Sequence, residues 1–429
     1  MNEIYAILAV IMLGLILVGS PIGYGLAIAT LVAIWMQGQT NLVFIPMRLY
    51  NGSTAFEMIA IPLFILAGQL MNSGGISQRL VNFASALVGF IRGGLAHVTI
   101  VACMMFGELS GSAVAGAAAI GSVMIPAMKK KGYPPEFAAS VVSSAATTAI
   151  IIPPSIPMII YGVTVGASIT KLFIAGFIPG ILTGGVMMIV AYFLARTRKY
   201  PIEQEFRLRE VFRTFKEALG TFLIPLVIWG GIFGGVFTAT EAAASAVVTA
   251  FILGFVVYRE FKLKELPKIL LSSANQTATV MIIVAASALL GSYLSNEMIP
   301  QRIAQGILHI TDNPILILML LNVFLLIVGM FLHSAAAIVM TVPIVWPLVQ
   351  QIGIDPIHFG LIVTLNLGIG QQTPPVASVL LTTCSIAKLP IGKVVRTNIW
   401  FMLSMLFVLL LVTYIPAISL WLPSLVTTK

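Results

Sequence analysis

Long apolar runs separated by short polar segments dominate the pattern of positions along the chain. Runs that predict membrane-spanning helices lie at 4–19, 22–37, 58–73, 172–195, 218–237, 239–258, 275–294 and 397–423. Two segments that mix polar, aromatic and apolar residues, 40–56 and 258–268, are predicted to be helices at the membrane interface. The pattern therefore predicts an all-α polytopic membrane protein.

Two further apolar runs, 94–128 and 314–349, are interrupted by small polar groups rather than by loops. Two full spans of about 20 residues each, with a turn between them, need more chain than such a run provides. Each run is therefore predicted to be a re-entrant hairpin, with a first tip at 109–113 and a second tip at 332–336. Non-helical backbone at this depth requires cover by protein or a water-filled cavity.

Paired prolines interrupt two other apolar runs, 135–168 and 356–387. Each proline removes an N–H and clashes with the preceding turn, so a helix breaks there. The first break is 149–157 and the second break is 369–376. Five residues repeat at an offset of 221, namely Pro126/Pro347, Gly132/Gly353, Pro135/Pro356, Pro153/Pro374 and Pro154/Pro375. The chain is thus predicted to consist of two repeats.

Each repeat is predicted to contain three spans, a hairpin, a broken span and a final span. Five crossings per repeat make the second enter the membrane from the opposite side, so the repeats are predicted to be inverted. The first repeat is predicted to be 1–195, with scaffold spans in 1–93, the hairpin and broken helix in 94–168, and a span at 172–195. A basic cytoplasmic loop is predicted at 196–217. The second repeat is predicted to be 218–429, with scaffold spans in 218–312, the hairpin and broken helix in 313–387, and a terminal span at 397–423.

Composition and charge agree with a membrane protein. The chain is 59% hydrophobic and 9% charged, and its formal net charge of +9 does not indicate a nucleic-acid partner, because the basic residues lie in short loops. With both termini outside, 19 of the 23 Lys and Arg residues fall on the cytoplasmic side. This asymmetry favours that orientation over its reverse.

The two tips and two breaks are predicted to meet near the membrane midplane and to bind ions and solute. Their hydroxyl and carbonyl oxygens suit a hard cation, and helix N-termini suit an anion. The candidates are Ser110, Gly111, Ser112, Thr147, Thr148, Pro153 and Ser155 in the first repeat, and His333, Ser334, Gly370, Gln371, Gln372, Thr373 and Pro375 in the second. Any single Ser or Thr could instead only permit close helix packing.

Two acidic residues need separate interpretation. Glu108 adjoins the first tip, where it could line the solute path, bind a proton or cap a helix. Glu241 lies in the first turn of a predicted span, where a carboxylate complements the helix dipole, so a structural role is favoured.

A polytopic chain of this kind could be a secondary transporter, a membrane hydrolase or a channel. The inverted repeat with paired breaks favours a secondary transporter over an enzyme. A membrane hydrolase lacks support because the sequence contains neither H-E-x-x-H nor G-x-S-x-G, and no G-x-x-x-x-G-K-[ST] nucleotide loop occurs. A channel remains an alternative, which flux without concentrative accumulation would favour.

The motifs G-E-L-S-G-S-A, I-P-P-S-I-P, G-V-F-T-A-T-E-A-A-A and Q-Q-T-P-P, in this order, resemble the large membrane (M, DctM-type) subunit of tripartite ATP-independent periplasmic (TRAP) transporters. The resemblance covers essentially the whole chain. It implies an ion transporter superfamily-like fold, an elevator mechanism and sodium-driven uptake of an organic acid such as a C4-dicarboxylate or sialic acid. It also implies a multi-pass protein of the bacterial inner membrane with periplasmic termini.

The resemblance further implies site residues and partners. Sodium would be bound by Ser110, Gly111, Ser112, Thr148 and Pro153 in the first repeat, and by His333, Ser334, Gly370, Gln372, Thr373 and Pro375 in the second; the solute would contact Glu108, Ser112, Ser155 and Thr373. No cofactor is expected besides Na⁺. The expected partners are a small four-helix membrane (Q) subunit, here a separate polypeptide, and a periplasmic solute-binding (P) protein. The alternative is a sodium- or proton-coupled carboxylate transporter that needs no binding protein.

Overall fold

The computed structural model of the chain describes residues 2–38, 43–198, 200 and 205–426. This part contains helices and turns and no β-strand, so the all-α prediction is confirmed. Eight of its helical stretches are long and apolar enough to cross a membrane, as expected of a multi-pass protein.

The described part of the first half contains ten α-helices, including the two of a broken span. They are α1 (Asn2–Leu17), α2 (Ile22–Met36), α3 (Phe44–Ser53), α4 (Ala60–Ser73), α5 (Ile76–Val88), α6 (Gly94–Ser110), α7 (Ala113–Lys130), α8 (Pro135–Ala146), α9 (Ile156–Val165) and α10 (Ile169–Thr197). A 3₁₀ turn, Thr147–Ile150, follows α8 and leads into the first break. Residues 40–42 of the predicted interfacial segment 40–56 lie outside the described part.

The described part of the second half also contains ten α-helices. It contains α11 (Leu208–Phe233), α12 (Ala239–Phe251), α13 (Leu266–Asn296), α14 (Ile299–Leu308), α15 (Pro314–Phe331), α16 (Ser334–Gln351), α17 (Pro356–Gly370), α18 (Ser378–Ala387), α19 (Ile391–Tyr414) and α20 (Ala417–Val426). The α6–α7 and α15–α16 pairs occupy the predicted hairpins, and α8–α9 and α17–α18 the predicted broken spans. The paired prolines of each break are joined by a cis peptide bond.

Several bounds differ from those predicted. The basic segment 258–268 is a short 3₁₀ turn, Leu263–Glu265, followed by the start of the long α13, because Pro at the first turn of a helix favours its initiation. The helix α11 begins at Leu208, within the predicted loop 196–217. The predicted terminal span 397–423 is divided between α19 and α20, with Pro416 between them.

Helix length does not by itself make the second hairpin re-entrant. The arms α15 and α16 have 18 residues each, about 27 Å at 1.5 Å per residue, and both are long and apolar enough to cross a membrane. The re-entrant geometry therefore stays a prediction, as does the inversion of the repeats.

The broken helices form the centre of the molecule. Every residue of α8 from Phe137 to Ala146 and every residue of α17 from Ile357 to Gly370 is buried, so both helices are covered on all sides. The hairpins, α10 and α19 pack around them, whereas α2, α3, α4, α12 and α13 pack mainly on one another. We call α6–α9 and α15–α18 the core elements, and α1–α5 and α11–α14 the scaffold.

Glu241 has the structural role that the sequence favours. Its carboxylate accepts a hydrogen bond from the Thr238 backbone N–H at 2.7 Å, and the Thr238 hydroxyl accepts one from the Glu241 N–H. This capping box satisfies donors at the N-terminus of α12.

Candidate functional site

The first tip has a two-residue turn between two helices, α6 and α7. Gly111 ends α6 in the left-handed region at φ +58°, which glycine adopts without strain. Ser112 then begins α7 as its N-cap, and its hydroxyl accepts a hydrogen bond from the Ala115 N–H at 3.4 Å. The sequence S-G-S thus forms both the helix end and the helix start that the tip requires.

The first tip is in direct contact with the first break. The Ile156 N–H donates a hydrogen bond to the Gly111 carbonyl at 3.4 Å. Gly107 packs so closely on Ala149 that a Cβ added to it would lie 2.7 Å from the Ala149 Cα. Ser155 caps α9 and donates its proton to the Ile150 carbonyl at 2.7 Å, which holds the two sides of the break together.

The second tip contacts the second break in a similar way. The Val376 N–H donates a hydrogen bond to the Met330 carbonyl at 3.2 Å. Gly329 and Gly370 face each other, so that a Cβ on Gly370 would lie 2.5 Å from the Gly329 Cα. His333 is the N-cap of α16, but its side chain makes no capping hydrogen bond.

Both tips border one cavity of about 1010 Å³, which is within the size range of small-molecule sites. Its wall includes the first turns of three helices, namely Ala113–Ala115 of α7, Ile156 and Pro157 of α9, and Ser334 and Ala335 of α16. Across from them lie scaffold residues of α4 and α13 and the turn between α1 and α2. Among the described residues that line the cavity, none is Asp, Glu, Lys or Arg.

The predicted site residues fall into two groups. Ser110, Gly111, Ser112, His333 and Ser334 line the cavity, whereas Glu108, Thr148, Pro153, Ser155, Gly370, Gln372, Thr373 and Pro375 lie outside its wall. The structure therefore brings the two tips to one space and places the second break behind them. The ligand roles of these residues stay predictions.

Individual side chains outside the cavity have their own partners. The Thr148 hydroxyl donates to the Ala145 carbonyl at 2.7 Å, and the Thr373 hydroxyl donates to the Ile369 carbonyl at 2.8 Å. Glu108 is half-buried in the last turns of α6. Gln372 is fully buried, and its side chain contacts α8 and α19.

Scaffold amides in the cavity wall were not singled out from the sequence. Gln69 and Asn72 of α4 and Asn275 and Gln276 of α13 line it, and the hydroxyl-bearing Thr279 of α13 lines it as well. The sequence does contain a signal for these residues, because polar residues within helices long enough to span a membrane generally face a cavity or the protein interior. It was missed because Asn72 and Asn275 fell at the predicted ends of spans.

Comparison with known proteins identifies the same family that the motifs resemble. The family described as "Tripartite ATP-independent periplasmic transporter, DctM component" matches residues 9–418. The chain is 40% identical over 377 residues to the C4-dicarboxylate TRAP transporter large permease protein DctM of Pseudomonas aeruginosa, covering 88% of each chain. It is 38% identical to the sialic acid TRAP transporter large permease protein SiaM of Vibrio cholerae, covering 96% of this chain and 97% of that one.

A solved structure shares the fold. The crystal structure of the Alcanivorax borkumensis YdaH transporter matches with a TM-score of 0.66 and covers 88% of this chain and 89% of that chain. At 15% sequence identity, this likeness concerns the fold alone.

Proposed function

The chain belongs to the family of DctM components of tripartite ATP-independent periplasmic transporters, and we propose that it performs the sodium-coupled uptake of an organic acid. The relatives are transport permease subunits, not enzymes. A C4-dicarboxylate and a sialic acid, which are the solutes of the two relatives, are both carboxylates, so a carboxylate is the solute class proposed for this chain.

The carboxylate assignment rests on the three helix N-termini in the cavity wall. First-turn N–H groups have no acceptor within their own helix and carry partial positive charge, so they bind anions. The first turns of α7, α9 and α16 all reach the wall, which lacks Lys and Arg among its described residues. Backbone N–H groups, rather than basic side chains, therefore donate the hydrogen bonds that bind the anion.

The N-terminus of α16 is the most available of the three. Ser112 and His333 are both N-caps and stand 221 residues apart, yet only Ser112 uses its side chain to cap its helix. Ile156 at the start of α9 already donates its N–H to Gly111. The buried Ser334 hydroxyl, 1% exposed, has no hydrogen-bond partner among the described residues. We assign the carboxylate of the solute to this end of the cavity.

Sodium coupling is supported by the helix C-termini that meet at each tip and break. The last turns of α15 and α17 touch through Gly329 and Gly370, and the last turn of α6 touches the 3₁₀ turn after α8 through Gly107 and Ala149. Helix C-termini carry partial negative charge, so two of them side by side are stabilised by a cation. A Na⁺ ion in each repeat would be this cation, and carbonyl and hydroxyl oxygens would bind it.

Charge and the position of the cavity support the orientation and the mechanism that we propose. With the termini outside, the cavity residues Ser20 and Asn72 belong to the cytoplasmic ends of the scaffold helices, so the cavity opens inward. Release to the cytoplasm and uptake from the periplasm then require the core elements to move against the scaffold, as an elevator does. A periplasmic solute-binding protein delivers the solute, and a small membrane subunit packs on the scaffold.

A negative charge placed in the cavity should weaken binding of an anionic solute. Ala118 is exposed in the wall, one turn beyond the N-terminus of α7. Ala118→Asp is expected to raise the KM for uptake by about tenfold through charge repulsion between its carboxylate and the anionic solute. The measurement is initial uptake rate against concentration, using the solute identified by ligand screening of the binding protein.

The control is Ala118→Asn, which has the same shape without the charge. It is expected to leave the KM within about twofold of the parent value, since an amide in a hydrated wall carries little cost. Equal effects of Asp and Asn would contradict an anionic solute in this cavity.

A further inference from the structure

A buried cluster of polar side chains lies behind the second break, on the side away from the cavity. The Ser144 hydroxyl on α8 lies 2.6 Å from Gln372 Oε1 and 3.0 Å from Asn398 Oδ1 on α19. Asn398 Nδ2 donates to both the backbone carbonyl and Oε1 of Gln372, each at 3.3 Å. All three residues are 0% exposed. We call Ser144, Gln372 and Asn398 the break clamp.

The break clamp joins three elements at the point where α17 ends. Gln372 Nε2 also donates to Met405 Sδ at 2.8 Å, and the Thr147 hydroxyl contacts the same sulfur at 3.4 Å. One turn earlier, the Ser140 hydroxyl on α8 donates to the Val394 carbonyl on α19 at 3.1 Å. The second break is thus attached to the helix that leads into the first break.

The first break has no equivalent of these polar bonds at the matching positions. An offset of 221 relates Gln372 to Ile151 and Asn398 to Phe177, and both of these are apolar. Polar bonds in a dry interior are strong, and an unpaired member is costly, so a cluster of this kind specifies one geometry. In the described part of the chain, the two matching positions therefore supply no such polar bonds to the first break.

We propose that Asn398 and Ser144 are positioning residues for the second break, and this inference rests on the proposed function. They bind the side chain and carbonyl of Gln372 and so fix the direction of the backbone carbonyls of Gly370, Gln371 and Thr373. Gln372 is accordingly an anchor of the break, and its side chain is not a sodium ligand. The cation affinity of the second repeat depends on residues that touch neither ion nor solute.

Sodium binding to the purified chain in lipid nanodiscs tests the inference, with radiolabelled sodium alone as the probe. Asn398→Leu keeps the number and branching of the side-chain heavy atoms and removes every bond to Gln372, so the sodium Kd is expected to rise about tenfold. Ser144→Ala is expected to act in the same direction. The double variant is expected to lose less than the product of the two single effects, because both act through Gln372.

Asn322→Leu is the matched control. Asn322 is also a buried amide; its Nδ2 donates to the Thr413 hydroxyl at 3.1 Å, and its Oδ1 accepts from Asn366 at 2.7 Å. It lies on α15, two turns before Gly329, and makes no bond to the second break. Its replacement removes a buried amide from the same core and is expected to leave the sodium Kd within about twofold.

A second readout needs neither sodium nor solute. Val376 is 42% exposed and accepts a spin label as Val376→Cys, after the buried Cys103 and Cys384 are replaced by alanine. Asn398→Leu is expected to increase the mobility of this label and to leave unchanged a label at Ile181, which is exposed on α10. Asn322→Leu should change neither label.

The outcomes separate the inference from the proposed function. A tenfold Kd change together with a mobile label at Val376 supports both. If the parent chain binds no sodium, sodium coupling fails, and the label alone decides whether the clamp positions the break. Asn398→Leu with an immobile label at Val376, or with a sodium Kd equal to that of Asn322→Leu, overturns the inference.

Discussion

Replacing Gly370 with alanine is expected to reduce uptake by about tenfold or more. A Cβ at this position would lie 2.5 Å from both the Cα and the carbonyl carbon of Gly329. Both are backbone atoms, so the ends of α15 and α17 must separate, and overpacking of this kind costs about 1–3 kcal/mol. The proposed cation site of the second repeat lies at this contact. The measurement is the initial uptake rate per molecule in the membrane.

Two other helical glycines provide matched controls. Gly185 in α10 and Gly392 in α19 have no atom within 4 Å of an added Cβ. Gly185→Ala and Gly392→Ala are expected to leave uptake unchanged and to stabilise their helices slightly, since alanine is the better helix former. Uptake by Gly370→Ala that equals uptake by these controls would remove the contact of the second tip with the second break from the mechanism.

Gly111→Ala is expected to have an effect of similar size through a different cause. Gly111 combines φ +58° with a neighbour, the Pro154 carbonyl oxygen, that would lie 2.9 Å from an added Cβ. Its own carbonyl accepts the hydrogen bond from Ile156. The left-handed conformation costs an alanine about 1–2 kcal/mol, and the contact adds to it, so the first tip must move away from the first break. A fall in uptake of at least about tenfold is the expected result.

Gly132→Ala separates backbone strain from the contact. Gly132 has φ +82° and no atom within 4 Å of an added Cβ, in the turn between α7 and α8. The Gly132→Ala variant should be less stable than the parent chain but should retain most of its uptake per folded molecule. If both variants lose uptake equally, strain alone accounts for the loss, and the contact of tip and break has no special role.

Local sequence rules predicted the breaks and tips because each depends on nearby residues. Paired prolines interrupt the spans that begin with α8 and α17, and Gly111 with Ser112 ends one helix and caps the next, whatever surrounds them. Ser112 and His333, which lie 221 residues apart, are both N-caps in the structure. The residues that signal helix ends and helix starts in the sequence are therefore found at helix ends and helix starts in the structure.

The directions in which side chains point could not be predicted from such rules. Gln372 stands beside Thr373 and the prolines, so its amide suggested an ion ligand, yet its side chain turns toward Ser144 and Asn398. That direction depends on the packing of α8 against α19, more than 250 residues apart in sequence. Tertiary packing likewise determines that Gln69 and Gln276 line the cavity.

We propose that this permease uses a sodium gradient to accumulate an organic acid. The direct test is uptake into proteoliposomes that contain the chain and its small membrane subunit, with the binding protein and its ligand outside and no nucleotide present. An inward sodium gradient is expected to drive accumulation above the external concentration, and potassium or choline in place of sodium is expected to abolish it. Uptake that persists at the same rate in choline, or that only equilibrates the solute across the membrane, would contradict sodium-coupled accumulation.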